Sequence, residues 1–218
     1  MKLLLTSAGI SNKSIADALL SLTKEPFVKL NLAVVPTALN VEEGGKEWFI
    51  NDLVNCQKLG FKEIDIVDIS ALPQDIWLPR LQNADVLFFE GGNTFHLMHW
   101  LEKVGLEKLL PELLKTKVYV GVSAGSMVVC KHLGLSTSKR LYDEDVEKKY
   151  KDDGLNFVDF LIMPHLNSPY FTNVRLDKLK KIADEIGETF YAIDDNTAIK
   201  INDEKMEIIS EGEWKKFN

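Results

Sequence analysis

Residues 118 to 129 read Val-Tyr-Val-Gly-Val-Ser-Ala-Gly-Ser-Met-Val-Val, an apolar strand that runs into Gly121-Val122-Ser123-Ala124-Gly125 and then into a small-residue helix start. A serine pinned at a sharp strand-to-helix turn points its hydroxyl out of the backbone, while the following amides aim at one spot beside it. Gly121 and Gly125 leave room for such a turn, as side chains there would not. Chance supplies this five-residue pattern fairly often. Its place between a strand and a helix is what gives it weight.

A serine hydroxyl is a poor nucleophile at neutral pH and needs a base within hydrogen-bond reach, itself oriented by a third group. Four histidines are available. His96 and His99 fall on a helix after Gly92, and His132 lies on the helix that follows Ser123; all three read as surface or satisfied helix positions. His165 follows a strand and Pro164, which puts it at a strand's carboxyl end beside the serine turn. It is the favoured base, with His96 next. Ile193-Asp194-Asp195-Asn196-Thr197 offers two carboxylates, one of which can face the histidine while the other faces solvent, since neighbours alternate along extended backbone. Taken alone, the segment reads equally well as a solvated turn. Glu90-Gly91-Gly92-Asn93-Thr94, two glycines at a strand end opening a helix, can present backbone N–H groups to an oxyanion next to the Ala124 amide. The lysine and longer glycine spacing of phosphate-binding loops are missing.

The elements that must position these residues alternate along the first half of the chain. Strands are expected over Lys2 to Ser7, Leu30 to Val35, Phe61 to Ile69, Ala84 to Phe89 and Val118 to Val122. Helices are expected over Lys13 to Leu22, Glu42 to Leu59, Thr94 to Glu102 and onward to about Lys115. This predicts an α/β fold of three layers, a mostly parallel sheet with helices on both faces, whose function gathers at the strands' carboxyl ends. Ser7-Ala8-Gly9, Pro36-Thr37, Glu90 to Asn93 and Ser123 all fall there. Gly134 to Asn156 is polar and charged, and reads as a solvated loop or exposed helix that can wall the site. Beyond it a strand is expected over Val158 to Met163 and a helix over Leu176 to Ile186. Short strands follow at Phe190 to Ile193, Ala198 to Ile201 and Met206 to Ile209, with a hairpin turn at Asn202 to Lys205.

The 218 residues, 45% hydrophobic and 27% charged, suit one soluble domain over 1–218. A net charge of −7 argues against a nucleic-acid partner. No run is long enough to span a membrane, and the apolar start at Met1 ends too soon for an export signal. Cys56 and Cys130 lack metal-ligand or redox spacing and read as buried free thiols, which with the missing signal points to the cytoplasm. No metal is required and no cofactor motif appears.

Phe88-Phe89-Glu90-Gly91-Gly92-Asn93-Thr94-Phe95, Tyr119-Val120-Gly121-Val122-Ser123-Ala124-Gly125 and Pro164-His165, in that order and spacing, resemble peptidase E, the α-aspartyl dipeptidase family of serine peptidases, with cyanophycinase a more distant relative. The resemblance covers nearly the whole chain. It implies a glutamine-amidotransferase-like (flavodoxin-like) fold, Ser123 as nucleophile, His165 as base, and the amides of Gly92 and Ala124 as oxyanion donors. The related pattern Ile-Asp-Glu-Asp-Thr-Ala aligns on Ile193 to Ala198 and favours Asp195 as the third member. The implied reaction is hydrolysis, through an acyl-enzyme, of short peptides such as dipeptides with an amino-terminal aspartate. A β-aspartyl peptidase, an amidase or esterase, and a non-catalytic binding protein on the same fold are the alternatives. Short peptides are the implied partners of a monomer or homodimer. Peptidase E proper carries a third glycine where this chain has Glu90, whose carboxylate would stand near the substrate and meet a dipeptide's α-ammonium. Asn93 is expected in the same pocket. Arg175, with Arg140 and Lys139, is a candidate cation for a substrate carboxylate.

Overall fold

Runs of Leu, Val and Phe become the central strands, because a parallel strand covered by helices on both faces has no solvent side to fill. The computed structural model describes residues 1–144 and 150–218. Its first half comprises β1 (Lys2–Thr6), α1 (Lys13–Thr23), β2 (Asn31–Val35), α2 (Glu47–Leu59), β3 (Glu63–Ile66), α3 (Gln74–Asn83), β4 (Val86–Phe89), α4 (Thr94–Lys103) and α5 (Leu106–Leu113). There follow β5 (Val118–Val122), α6 (Ala124–Met127), α7 (Leu135–Tyr142), β6 (Leu161–Met163), α8 (Leu176–Ile186), β7 (Phe190–Ile193), β8 (Thr197–Asn202), β9 (Lys205–Ser210) and β10 (Trp214–Phe217).

The main sheet runs β3-β2-β4-β5-β1-β8-β9. Its first five strands are parallel, β8 is antiparallel to β1, and β9 is antiparallel to β8. Alternate residues of one strand feed two cores: Val86 and Phe88 face Ile15, Leu19 and Cys56 of α1 and α2, whereas Leu87 and Phe89 face Trp77, Phe95, Leu101 and Leu110 of α3, α4 and α5. The result is the expected three-layer, mostly parallel α/β architecture. A small second sheet, β10-β7-β6, holds β6 and β7 side by side in parallel. Among the described residues no helix is long and apolar enough to cross a membrane.

Several local expectations are corrected. The helix expected from Glu42 begins only at Glu47, after a 3₁₀ turn over Thr37–Val41, because Gly44 adopts a left-handed φ of +80° that a helix cannot hold. The strand expected over Phe61 to Ile69 shortens to Glu63–Ile66 at the sheet's edge. Asp68 then turns the chain, taking the Ser70 N–H and hydroxyl and the Thr37 hydroxyl. Helix α3 was not expected, since Pro79 sits inside it; burial of Trp77 and Leu81 outweighs the missing hydrogen bond. Nor was β10, which pairs antiparallel with β7. The charged stretch after Gly134 is not simply solvated. Helix α7 buries Thr137, Ser138 and Leu141, and the Glu144 carboxylate accepts the Thr94 N–H at 2.6 Å, capping α4. Asp145 and Glu147 to Lys149, the rest of that run, lie outside the described residues.

Candidate active site

Strand β5 delivers Ser123 with φ +46° and ψ −105°, a conformation that costs a serine about 1–3 kcal/mol and must be held from outside. Its N–H donates to Thr6 at 3.0 Å and its carbonyl accepts the amides of Ser126 and Met127 at 2.8 and 2.9 Å. The two glycines of the turn are steric requirements. A Cβ at Gly121 would stand 2.5 Å from the Gly125 carbonyl oxygen, and one at Gly125 would stand 2.1 Å from that of Phe89. The buried Tyr119 hydroxyl donates to the Gly125 carbonyl at 2.6 Å and pins the turn from below.

His165 and Asp195 arrive together because β6 and β7 are parallel neighbours, with Met163 beside Ala192, so their carboxyl ends open on the same side. The Leu166 N–H donates to Ile193 at 3.0 Å and ties the two ends. The His165 Nε2 lies 2.9 Å from the Ser123 Oγ, and its Nδ1 lies 2.7 Å from Asp195 Oδ1. A carboxylate only accepts, so Nδ1 carries the hydrogen and donates to Asp195, Nε2 carries the lone pair, and the Ser123 hydroxyl donates to it. Burial would raise the Asp195 carboxyl, but the hydrogen bonds and charge of His165 and the Ser7 hydroxyl outweigh it and hold it below the usual range. The imidazole also stacks on Phe171, ring centroids 4.1 Å apart and planes 15° apart, which fixes its orientation.

Ser7 was not assigned a role from sequence, although it falls at a strand's carboxyl end. Thr6 of β1 is in register with Val122 of β5, which sets Ser7 beside Ser123. Its hydroxyl accepts the His165 N–H at 2.8 Å and donates to Asp195 Oδ1 at 2.7 Å, clamping both residues where His165 takes a left-handed φ of +65°. Trp48 and Phe171 also escaped the sequence reading, since an aromatic on a helix or loop carries no local mark of a site.

Gly92 has φ +126°, and a Cβ there would meet the Ala38 carbonyl oxygen at 2.4 Å. Asn93 is buried and spent on structure: its Oδ1 accepts the His96 N–H as the cap of α4, and its own N–H donates to Ala38. A side chain at Gly91 would lie 3.4 Å from Ser123 Cβ and 3.6 Å from the Trp48 ring, so the double-glycine turn packs against the serine. Arg175 is half-buried and gives hydrogen bonds to the carbonyls of Ser168, Phe171 and Val174, ordering the loop that carries Phe171. Arg140 pairs with Glu185 on the surface and Lys139 is exposed. His96 and His99 contact Tyr150, and His132 pairs with Glu188 at 2.9 Å. Both cysteines are buried and free; burial pushes the Cys130 thiol up to about 12.

Glu90 is fully buried, and neither carboxyl oxygen has a full hydrogen-bond partner. Burial and the charge of Asp52 push its carboxyl well above the usual range, and burial pushes Asp52 up to about 7. Groups that hold protons more tightly folded than unfolded support the fold at acid pH and lose that contribution as pH rises through their folded values. Glu90→Gln is therefore expected to stabilise the protein by about 1–3 kcal/mol near pH 8 and to change it little near pH 4.5, read from urea midpoints. An equal gain at both pH values would contradict this account.

Peptidase family S51 matches residues 3–209. An uncharacterized peptidase of Listeria innocua is 29% identical over 181 residues, 79% of this chain and 80% of that one. The peptidase E of Shewanella oneidensis is 33% identical over 146 residues, 66% of this chain and 59% of the relative. A 1.5 Å crystal structure of a candidate peptidase E from Listeria monocytogenes superposes with a TM-score of 0.78 at 25% identity, covering 97% of this chain and 98% of that one. The chain belongs to peptidase family S51 and is a serine-type peptidase.

Proposed function

We propose that the protein is an exopeptidase that hydrolyses short peptides, with dipeptides bearing an amino-terminal aspartate as its substrates, through an acyl-enzyme on Ser123. The hydrogen-bond chain Ser123–His165–Asp195, with the serine on a strained turn, carries this reading. In the first step the Ser123 Oγ attacks the peptide carbonyl carbon while His165 Nε2 takes the hydroxyl proton, and Asp195 stabilises the imidazolium that forms. The oxyanion forms against the N–H groups of Gly92 and Ala124. As the C–N bond breaks, His165 returns the proton to the leaving amine. Water then attacks the ester by the same route, giving its proton to Nε2 and releasing the acid and free serine.

The resemblance to peptidase E, the α-aspartyl dipeptidase family, is what supports the aspartate preference. The test is purified protein assayed against Asp-Leu, β-Asp-Leu, Leu-Leu and a simple ester. The expected result is a kcat/KM for Asp-Leu about tenfold or more above that for Leu-Leu, the scale of one charged hydrogen bond gained in the transition state. Turnover of the ester with no peptide cleaved would overturn the exopeptidase reading.

A further inference from the structure

Ser123 stands on the main sheet, after β5, whereas His165 and Asp195 stand on the second sheet, after β6 and β7. The two sheets share no strand, so the distance from Ser123 Oγ to His165 Nε2 depends on contacts between them. The end of β1 makes such a contact. The Thr6 carbonyl accepts the Ser123 N–H at 3.0 Å and the Ser126 hydroxyl at 2.8 Å, which grips the serine turn. One residue on, the Ser7 hydroxyl reaches the other sheet, at the His165 N–H and the Asp195 carboxylate, 2.8 and 2.7 Å away. Neighbouring Cα atoms lie a fixed distance of about 3.8 Å apart, so the two grips are tied to each other. Thr6 is itself held: its hydroxyl donates to the Gly121 carbonyl at 2.8 Å and accepts the Gly9 N–H at 3.0 Å.

A serine hydroxyl has one proton and two lone pairs. The Ser7 proton goes to Asp195 Oδ1, one lone pair takes the His165 main-chain N–H, and the oxygen lies 3.2 Å from His165 Nδ1. With its proton committed to the carboxylate, Ser7 can meet Nδ1 only as an acceptor. Both groups beside Nδ1 therefore call for a hydrogen there, which leaves the lone pair on Nε2, 2.9 Å from the Ser123 hydroxyl. The left-handed φ of +65° at His165 needs restraint from its surroundings, and the bond from its N–H to Ser7 supplies it. Ser7 is fully buried, so its hydroxyl is turned wholly to these partners and not to the peptide.

We propose that Ser7 is a positioning residue for catalysis, which sets the His165–Asp195 pair at working distance from Ser123 and helps to keep the hydrogen on Nδ1. The inference rests on the reading of Ser123 as the attacking group. Ser7 acts only through His165 and Asp195. A role as core filler would be met by any small side chain, and alanine would serve as well. Ser11 provides the contrast. Its hydroxyl donates to the Asp195 main-chain carbonyl at 2.7 Å, from the exposed side, and supports the same turn without touching the carboxylate.

Ser7→Ala is expected to lower kcat on the best-cleaved dipeptide of the panel above by about 10- to 100-fold and to leave KM within about twofold, because a misplacement on the order of 1 Å between reacting groups costs about that much. Ser11→Ala should leave kcat within about threefold. The rate at which a fluorophosphonate labels Ser123 should fall with kcat in Ser7→Ala, since it reports the nucleophile without peptide binding. In proton NMR the low-field resonance of the His165 Nδ1–H should broaden in Ser7→Ala and stay sharp in Ser11→Ala. Ser7→Cys, whose thiol is only a weak donor and acceptor, should move kcat in the same direction and serves if Ser7→Ala fails to fold. A Ser7→Ala kcat within about threefold of wild type, a loss carried by KM alone, or an equal loss in Ser11→Ala overturns the assignment. If wild type cleaves peptide and is labelled at Ser123 while the Ser7 variants match it, only this inference falls. If wild type neither cleaves a substrate nor is labelled, the serine mechanism falls and takes the inference with it.

Discussion

Ser123→Ala is expected to lower kcat for peptide hydrolysis by about five to six orders of magnitude while leaving the fold and peptide binding in place. The hydroxyl at 2.9 Å from His165 Nε2 is the group that the proposed mechanism consumes and regenerates, and alanine offers neither nucleophile nor proton. His165→Ala should cost a similar factor, because an unassisted serine hydroxyl barely ionises at neutral pH. Acting as one unit, the two losses should not add: the double variant is expected to be about as slow as either single one. Initial rates on the best dipeptide, with circular dichroism to confirm folding, check this. A Ser123→Ala enzyme retaining more than about one per cent of wild-type kcat would refute a nucleophilic role, since loss of such a group costs far more.

The second large effect separates two adjacent carboxylates. Asp195→Asn is expected to cost about 10³–10⁴-fold in kcat, because an asparagine NH2 donates to Nδ1 and so selects the tautomer whose Nε2 carries the hydrogen, leaving no lone pair for the Ser123 proton. Asp194→Asn should leave kcat within about a factor of three, yet cost about 1–3 kcal/mol of stability. The difference follows from their partners. Asp195 Oδ1 meets His165 and the Ser7 hydroxyl. Asp194 instead accepts the Thr197 hydroxyl at 2.6 Å and the amides of Asn196 and Glu213 at 3.1 and 2.6 Å, which closes the turn between β7 and β8. Steady-state kinetics paired with urea unfolding resolves the two roles. Reversal of the pattern, with Asp194→Asn the inactive variant, would require a different third group.

Residues 2 to 6, 31 to 35, 86 to 89 and 118 to 122 are legible as strands because their centres are buried on both faces, and a near-continuous apolar run is the local price of that position. The turn at Ser123 is equally legible: its glycines are required by contacts within the turn and with the adjoining β4. Helix α3 is hidden by Pro79, because burial of Trp77 and Leu81 is decided by the neighbouring sheet and not by local propensity. Glu144 reads as one more surface charge until its carboxylate is seen to cap a helix fifty residues earlier.

The sequence by itself determined the layered architecture, the serine on its strained turn and the candidate histidine, since each depends on spacing within one strand and the turn that follows it. Only the tertiary structure decided which aspartate faces the histidine, that Ser7, 158 residues away, clamps both, and that Glu90 lies fully buried rather than open to the cleft. Those are long-range facts. They follow from the order β4-β5-β1 in one sheet and β6 beside β7 in the other, and strand order is set by how whole elements pack, which no window of adjacent residues records.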